Sequence, residues 1–293
     1  MYHNTLKLFA YLAVTLTVFS SSIAMGGDNL IRIKGSDTMA DVANEWGKVY
    51  SKKNPGSTVI VTGGGSGNGI AALINGHIEI ASTSRMLRKR EKLLIKKRFS
   101  NKPYAIIVGL DALSIFVHNN NPLNGISIAQ LAGIYKKSSI YNNWSDLGVT
   151  VPGCESGEIV RVSRKNNSGT YAFFRQEIFG KRAHFNRSLV TLNSSKKVVD
   201  KVAKNPCAIG YSGMAFLNSS IKTLCVAKTT LQQGCIPPTA AFTLDNKYPL
   251  SRPLFMYTMG DPKGRTRDFL AWVRGSDGQD ILRKSGFVSP PDI

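Results

Sequence analysis

The sequence predicts an α/β fold, and three observations predict it. Short strands rich in branched residues recur along 293 residues; each runs into a turn of hydroxyl residues and glycines; and apolar residues at helical spacing follow each turn. Alternation of this kind is the mark of βα units laid side by side.

Residues 1–24 stand apart from that pattern. Lys7 precedes an apolar stretch at 8–19, and Ser22-Ile23-Ala24 fits the small-x-small site of signal peptidase, so export with cleavage after Ala24 is expected. The stretch is short for a spanning helix, and no cysteine follows the cleavage site to accept a lipid.

The first unit is a strand at 30–34, the turn Gly35-Ser36-Asp37-Thr38, and a helix marked by Met39, Val42, Ala43, Trp46 and Val49. A strand at 58–62 then runs into Gly63-Gly64-Gly65-Ser66-Gly67-Asn68-Gly69 and a helix with Ile70, Leu73 and Ile74. A short strand at 78–81 leads to Ser82-Thr83-Ser84-Arg85 and a densely basic helix at 88–98. A solvated face accounts for that run, with docking to an acidic surface as the alternative.

Apolar strands at 104–108 and 112–117 flank Gly109-Leu110-Asp111, which reads as a bend in one long crossing segment. Ser127-Ile128-Ala129-Gln130 fits a capping box. The stretch 160–174 is the organising unit: alternating Val160 and Val162, the turn Asn166-Asn167-Ser168-Gly169-Thr170, then a helix opened by Tyr171, Phe173 and Phe174. Arg164 lies four residues before Ser168, where its planar fork of donors can share the turn's target. Later come a helix at 198–202, a strand at 208–213, a linker around Pro237-Pro238, a strand at 254–257, a helix at 266–273 and a short end piece.

Turns of this type expose backbone N–H groups and the positive end of a helix to one point beyond the strands, an arrangement that suits an anion. Ser36, Thr38, Ser66, Ser84, Ser168 and Thr170 are the hydroxyls delivered there, and Gly169 permits close approach. The glycine loop lacks the Gly-Lys-Ser/Thr ending of a nucleotide P-loop. His3, His77, His118 and His184 neighbour none of the turns and no GxSxG elbow occurs, so no enzyme is expected.

The net charge is +20, or +19 once Lys7 leaves with the signal segment. Such a field draws anions, acidic lipid headgroups and nucleic acid without choosing among them. Aromatics do not interleave with the basic run, so no nucleic-acid partner is expected. Cys154, Cys207, Cys225 and Cys235 admit three pairings in an oxidising compartment; Cys225 with Cys235 and Cys154 with Cys207 are favoured, and zinc is disfavoured for want of a CxxC pair. No metal or cofactor is expected.

Taken together, IKGSDTM at 33–39, VTGGGSGNGIAALINGHIEIASTSR at 61–85, LDAL at 110–113, NWSDLG at 143–148, RKNNSGTYAFF at 164–174, NPCAIGYSGMAFL at 205–217 and YPLSRPLFMYT at 248–258 make the chain resemble the periplasmic phosphate-binding proteins of bacterial phosphate ABC transporters. The resemblance implies a two-lobed binding protein, each lobe a mixed sheet flanked by helices, with two hinge crossings. Lobe one is then 25–110 and 238–293, and lobe two 111–237, with bending at 109–111 and 237–240.

It further implies that inorganic phosphate lies in the cleft and passes to an inner-membrane ABC permease, from a monomer in the periplasm or outside the cell. The implied contacts are Thr38 and the backbone of Met39 with Ser36 beside them, Ser66, Arg164, Ser168, Gly169 and Thr170. Where some members carry an aspartate that accepts the ligand's proton, Ser84 and Arg85 stand here, as in one branch of the family. Both are counted as contacts, with Asp37 as a substitute acceptor. Sulfate, or a basic envelope-binding protein that kept a phosphate pocket, are the alternatives. Cys207 stands where relatives often have glycine, which implies a local disulfide.

Overall fold

In the computed structural model, which describes residues 29–99, 102–180 and 183–291, the first three units form as expected. Strands β1 (Leu30–Gly35), β2 (Thr58–Thr62) and β3 (Ile80–Thr83) alternate with helices α1 (Ala40–Lys53), α2 (Ser66–Ile74) and α3 (Lys89–Phe99). The expected signal segment, 1–24, lies outside the described residues. β1 pairs in parallel with β2 and with β3, in a register that sets Ile33 opposite Ile80 and Gly35 opposite Ser82. That pairing carries the third strand two residues past the expected 78–81, so Ser82 and Thr83 belong to the strand. α1 turns Val42, Ala43, Trp46 and Tyr50 inward, the i, i+3/i+4 stripe of an amphipathic helix. The indole N–H of Trp46 donates to Gly278 O at 2.7 Å, which lets so large a side chain be fully buried.

The rest of the chain supplies β4 (Pro103–His118), β5 (Gly125–Ser127), α4 (Ile128–Tyr135), β6 (Val160–Arg164), α5 (Gly169–Phe179), β7 (Leu189–Leu192), α6 (Ser195–Ala203), β8 (Ala208–Gly213), β9 (Ile221–Ala227), α7 (Ala240–Leu244), β10 (Ser251–Met259), α8 (Gly264–Arg274) and α9 (Ser276–Lys284). α4 opens on the expected capping box, with Ser127 Oγ accepting from Gln130 N and Gln130 reaching back to Ser127 N. The end piece is a helix, α9. β5, β7 and β9 have no counterpart in the sequence reading; each is short or edged by polar residues, and pairing with a neighbour, not local pattern, makes it a strand.

β4 joins the two halves. Its first part runs antiparallel to β10, with a register shift between Leu254 and Phe255, and its second part pairs with β8 and β9. The strand order is β2-β1-β3-β10-β4-β8-β6-β7, with β9 beside β4 and β5 beside β9. The expected bend at Gly109-Leu110-Asp111 is therefore the interior of a 16-residue strand.

Apolar packing divides at the same place. Ile31, Ile33, Trp46, Ile106, Val108 and Leu254 share one core, and Leu113, Ile115, Trp144, Phe174, Tyr211 and Leu250 share another. Tyr248 and Leu250, which the boundary at 238 assigns to lobe one, are buried in the second core, and Tyr248 Oη donates to Leu113 O at 2.9 Å. Two disulfides, Cys154–Cys207 and Cys225–Cys235, tie the second half.

Candidate functional site

The ends of β1, β3 and β6, with the loop after β2, bring their turns to one buried cluster at the junction of the two cores. Helices α1 and α2 begin there without a side-chain cap on their first amides. α5 begins there with Ser168 as its cap, Ser168 Oγ accepting from Thr170 N and Tyr171 N. Three positive helix ends thus face a common region.

Ser36, Thr38, Ser66, Ser84, Ser168 and Thr170 are all buried, and bonds across turns tie five of them together. Ser36 Oγ donates to Ser84 Oγ at 3.0 Å, Ser84 N donates to Ser66 Oγ at 3.2 Å, and Thr38 Oγ1 lies 2.9 Å from Thr170 Oγ1. The last contact joins residues 132 apart in sequence. Gly67 N donates to Asn167 O at 3.0 Å and Asn167 Nδ2 to Gly64 O at 2.8 Å, so the glycine loop and the α5 turn close on each other. Gly169 is required: a methyl on it would stand 2.3 Å from Ser66 Oγ and 2.4 Å from Ser84 Oγ.

Arg164, at the end of β6, is 1% exposed. Its Nη2 donates to Asp37 Oδ2 at 2.7 Å and to Asn193 O at 3.0 Å, and Nη1 donates to Ser195 Oγ at 2.9 Å. Its buried Nε has no partner. Burial pushes the guanidinium's pKa down, and Asp37 opposes the shift; arginine remains a cation under any ordinary condition. Asp37 Oδ1 also accepts from Gly64 N at 2.7 Å, so one carboxylate ties the β1 turn, the glycine loop and Arg164.

Two expected contacts are placed differently. Arg85 is buried but points away from the hydroxyls: its Nη1 and Nη2 donate to Glu91 at 2.8 and 2.7 Å, and Nη1 to Met86 O. A carboxylate one turn into α3 outcompetes the site for it because the bidentate match is good. Burial pushes Glu91 up, yet the bonds from Arg85 and Arg88 N hold it below its usual range. Met39 caps α1, with its N–H on Ser36 O at 3.1 Å and its side chain in the first core.

Sequence reasoning missed Arg252 and Asp111. They face each other across β10 and β4, and neither side chain is exposed. Arg252 Nε and Nη2 donate to Asp111 Oδ2 at 2.9 and 2.6 Å, while Met214 N donates to Asp111 Oδ1 at 3.0 Å. The remaining Arg252 Nη1 reaches Ser84 O and Thr170 Oγ1, both at 3.3 Å, and the guanidinium lies over the Phe173 ring at 5.4 Å. Burial pushes Asp111 up, against the pull of Arg252. The signal was present in the sequence as one acid and one base inside otherwise apolar strands.

The arrangement offers neutral hydroxyls, helix-end amides and a buried cation to a small oxyanion, together with one carboxylate acceptor. Among the described residues no cluster of acids, histidines or cysteines is suited to a metal, and no helix is long and apolar enough to cross a membrane.

Comparison with known proteins fits that chemistry. A family model for the PBP superfamily domain matches residues 22–277. Phosphate-binding protein PstS of Pseudomonas aeruginosa is 30% identical over 275 residues, which is 88% of this chain and 82% of the relative. Protein SphX of Synechococcus elongatus is 27% identical over 289 residues, 95% and 83% of the two chains. The crystal structure of an ABC-type phosphate transport receptor from Vibrio cholerae superposes with a TM-score of 0.72 at 27% identity, covering 89% of this chain and all of that one. A Clostridium perfringens protein solved with bound phosphate shares the fold, with a TM-score of 0.77 at 24% identity over 89% of this chain and 99% of that one.

Proposed function

This chain belongs to the PBP superfamily and is a relative of phosphate-binding protein PstS, and from that premise we propose that it is an exported solute-binding protein. It holds one inorganic phosphate between its halves and delivers it to an inner-membrane ABC permease. The observation that carries the reading is the meeting of Thr38 and Thr170, and of Asp37 and Arg164, across the junction. Gathering this many polar groups in a buried place is costly unless they serve a ligand.

Removing a dianion from water is costly, so the site must return many donors. The hydroxyls of Ser36 and Ser84 bond each other, as do those of Thr38 and Thr170, while Ser66 and Ser168 accept from backbone amides; each of the six can turn its proton to a ligand oxygen. Helix-end amides, that of Gly169 included, add to them. Arg164 supplies the charge-assisted bond. Arg85 instead anchors the Ser84 turn to α3. Asp37 is the acceptor that a protonated phosphate requires and sulfate cannot use. No bond in the ligand is made or broken.

Opening and closing would bend the chain where the two cores part, at 109–111 on β4 and 250–252 leading into β10. The halves would swing as in other hinged binding proteins, and the protein acts as a monomer in the periplasm or outside the cell.

Titration calorimetry with inorganic phosphate and with sulfate tests the reading. One phosphate per chain at micromolar affinity or tighter is expected, with sulfate much weaker. Arg164→Ala should weaken phosphate binding about 10–150-fold, the loss of a buried charge-assisted bond. Unchanged heats in that variant would exclude this site, and preference for sulfate would reassign the ligand.

A further inference from the structure

Helix α3 is the most basic element of the chain and gives the core little. Of its eleven residues only Ile95 is buried. Ile95 and the half-buried Glu91 and Phe99 define the inward face, and helical geometry then sets Leu93 near the middle of the outward one. Leu93 is 57% exposed and Leu94 44%. Around Leu93, at i−4, i−3, i+3 and i+4, stand Lys89, Arg90, Lys96 and Lys97, all exposed. The one acid of the helix, Glu91, is turned inward and already paired with Arg85.

An outward leucine ringed by four cations fits poorly with a face meant only for water, which would place charge at that position too. Long basic side chains can lie along an apolar surface with their heads at its polar edge. The same arrangement occurs on helices that lie in the headgroup layer of an anionic bilayer. Exposed apolar residues also gather near α3 in the chain: among the described residues, Met86, Leu93, Leu94, Tyr104 and Ile107 are five of the eight large hydrophobics left exposed.

We propose that α3 is a docking surface for an anionic phospholipid membrane, with Leu93 inserted among the headgroups and Lys89, Arg90, Lys96 and Lys97 bound to their phosphates. A polynucleotide would use the cations but has no place for the leucine, and an acidic protein surface would desolvate Leu93 only with an apolar partner at its centre. The helix is joined to the hydroxyl cluster through Arg85, which follows Ser84 and pairs with Glu91. Tethering at the membrane keeps a solute-binding protein close to the bilayer without a spanning helix.

The test uses the full mature chain saturated with phosphate, mixed with vesicles of phosphatidylcholine alone or with one quarter phosphatidylglycerol, and followed by co-sedimentation. Partitioning to the anionic vesicles should exceed that to the neutral ones by at least tenfold and should collapse above about 0.5 M salt. Lys96→Gln with Lys97→Gln should lower it about fivefold per residue removed, and Leu93→Ser by about tenfold, while phosphate affinity stays unchanged in both variants. Equal binding to both vesicles overturns the proposal, as does anionic binding that survives either variant. Loss in the lysine variant with no change in Leu93→Ser would mark a generic polyanion surface, which heparin competition would show, and would equally reject membrane docking.

Discussion

Two aspartate–arginine pairs meet at the junction of the halves, and they differ in what can reach them. Asp37–Arg164 runs from the turn after β1 to the end of β6, and Asp37 keeps 18% of its side chain exposed. Asp111–Arg252 joins adjacent strands at the crossing, with both side chains at 0%. The first pair spans the cleft, so opening hands each partner to water. The second cannot part unless β4 and β10 part. Identical chemistry thus acts as a releasable clasp in one place and as the floor of the cleft in the other, because solvent access decides whether a buried charge can afford to lose its partner.

Breaking the floor should have the largest effect. Arg252→Met leaves Asp111 buried without its counter-ion and with only Met214 N to bond it, and urea denaturation should show a loss of about 3–5 kcal/mol. Adding Asp111→Asn should restore a good part, since no unpaired charge remains. Stability of Arg252→Met within error of the parent would show that the pair contributes nothing.

Next comes a change that prevents the clasp from meeting. Gly169→Ala forces a methyl onto Ser66 and Ser84, and overpacking of about 1–3 kcal/mol converts to a phosphate affinity lower by about 10–100-fold. Because the residue begins a helix, thermal stability without ligand should hardly move. A matching drop in both quantities would mean that the strain is not confined to the closed form.

Loosening the clasp itself should cost less. Asp37→Asn still accepts from Arg164, so only the charge assistance is lost, about 1 kcal/mol in stability. The same variant should narrow the preference for phosphate over sulfate, and calorimetry on both anions measures it.

A third pair, Arg85–Glu91, lies outside the cleft and should respond least. Glu91 is held below its usual 4.5 in the folded chain, so its pairing contributes in full above that value and fades as pH falls through the lowered folded value. Comparing the parent with Glu91→Gln in melts from pH 7 downward should show two curves converging in the acid range. A constant offset would contradict it.

Much of this was legible in the chain. The hydroxyl turns announced themselves because a turn before a helix has a local signature, and Ser36, Thr38, Ser66, Ser84, Ser168 and Thr170 do come together. Arg164 could be read because it ends a strand beside such a turn. Arg85 could not, since its choice of Glu91, six residues on, depends on how the start of α3 folds back onto the Ser84 turn. Arg252 and Asp111 escaped because their meaning lies in strand register between residues 141 apart. The second crossing is harder to read for a related reason. Pro237-Pro238 interrupts local structure, but only packing reveals that Tyr248 and Leu250 continue the second core.

Both disulfides fall between residues 154 and 235, and this makes the molecule lopsided toward unfolding. Cross-links separated by 53 and 10 residues would remove about 4 and about 2.7 kcal/mol worth of freedom from the denatured ensemble. That restraint acts only on the half built around β6 and β8. In an oxidising compartment that half should accordingly outlast the parallel strands β1, β2 and β3 under heat or proteases. Thiol reduction would level the two halves by weakening the sturdier one.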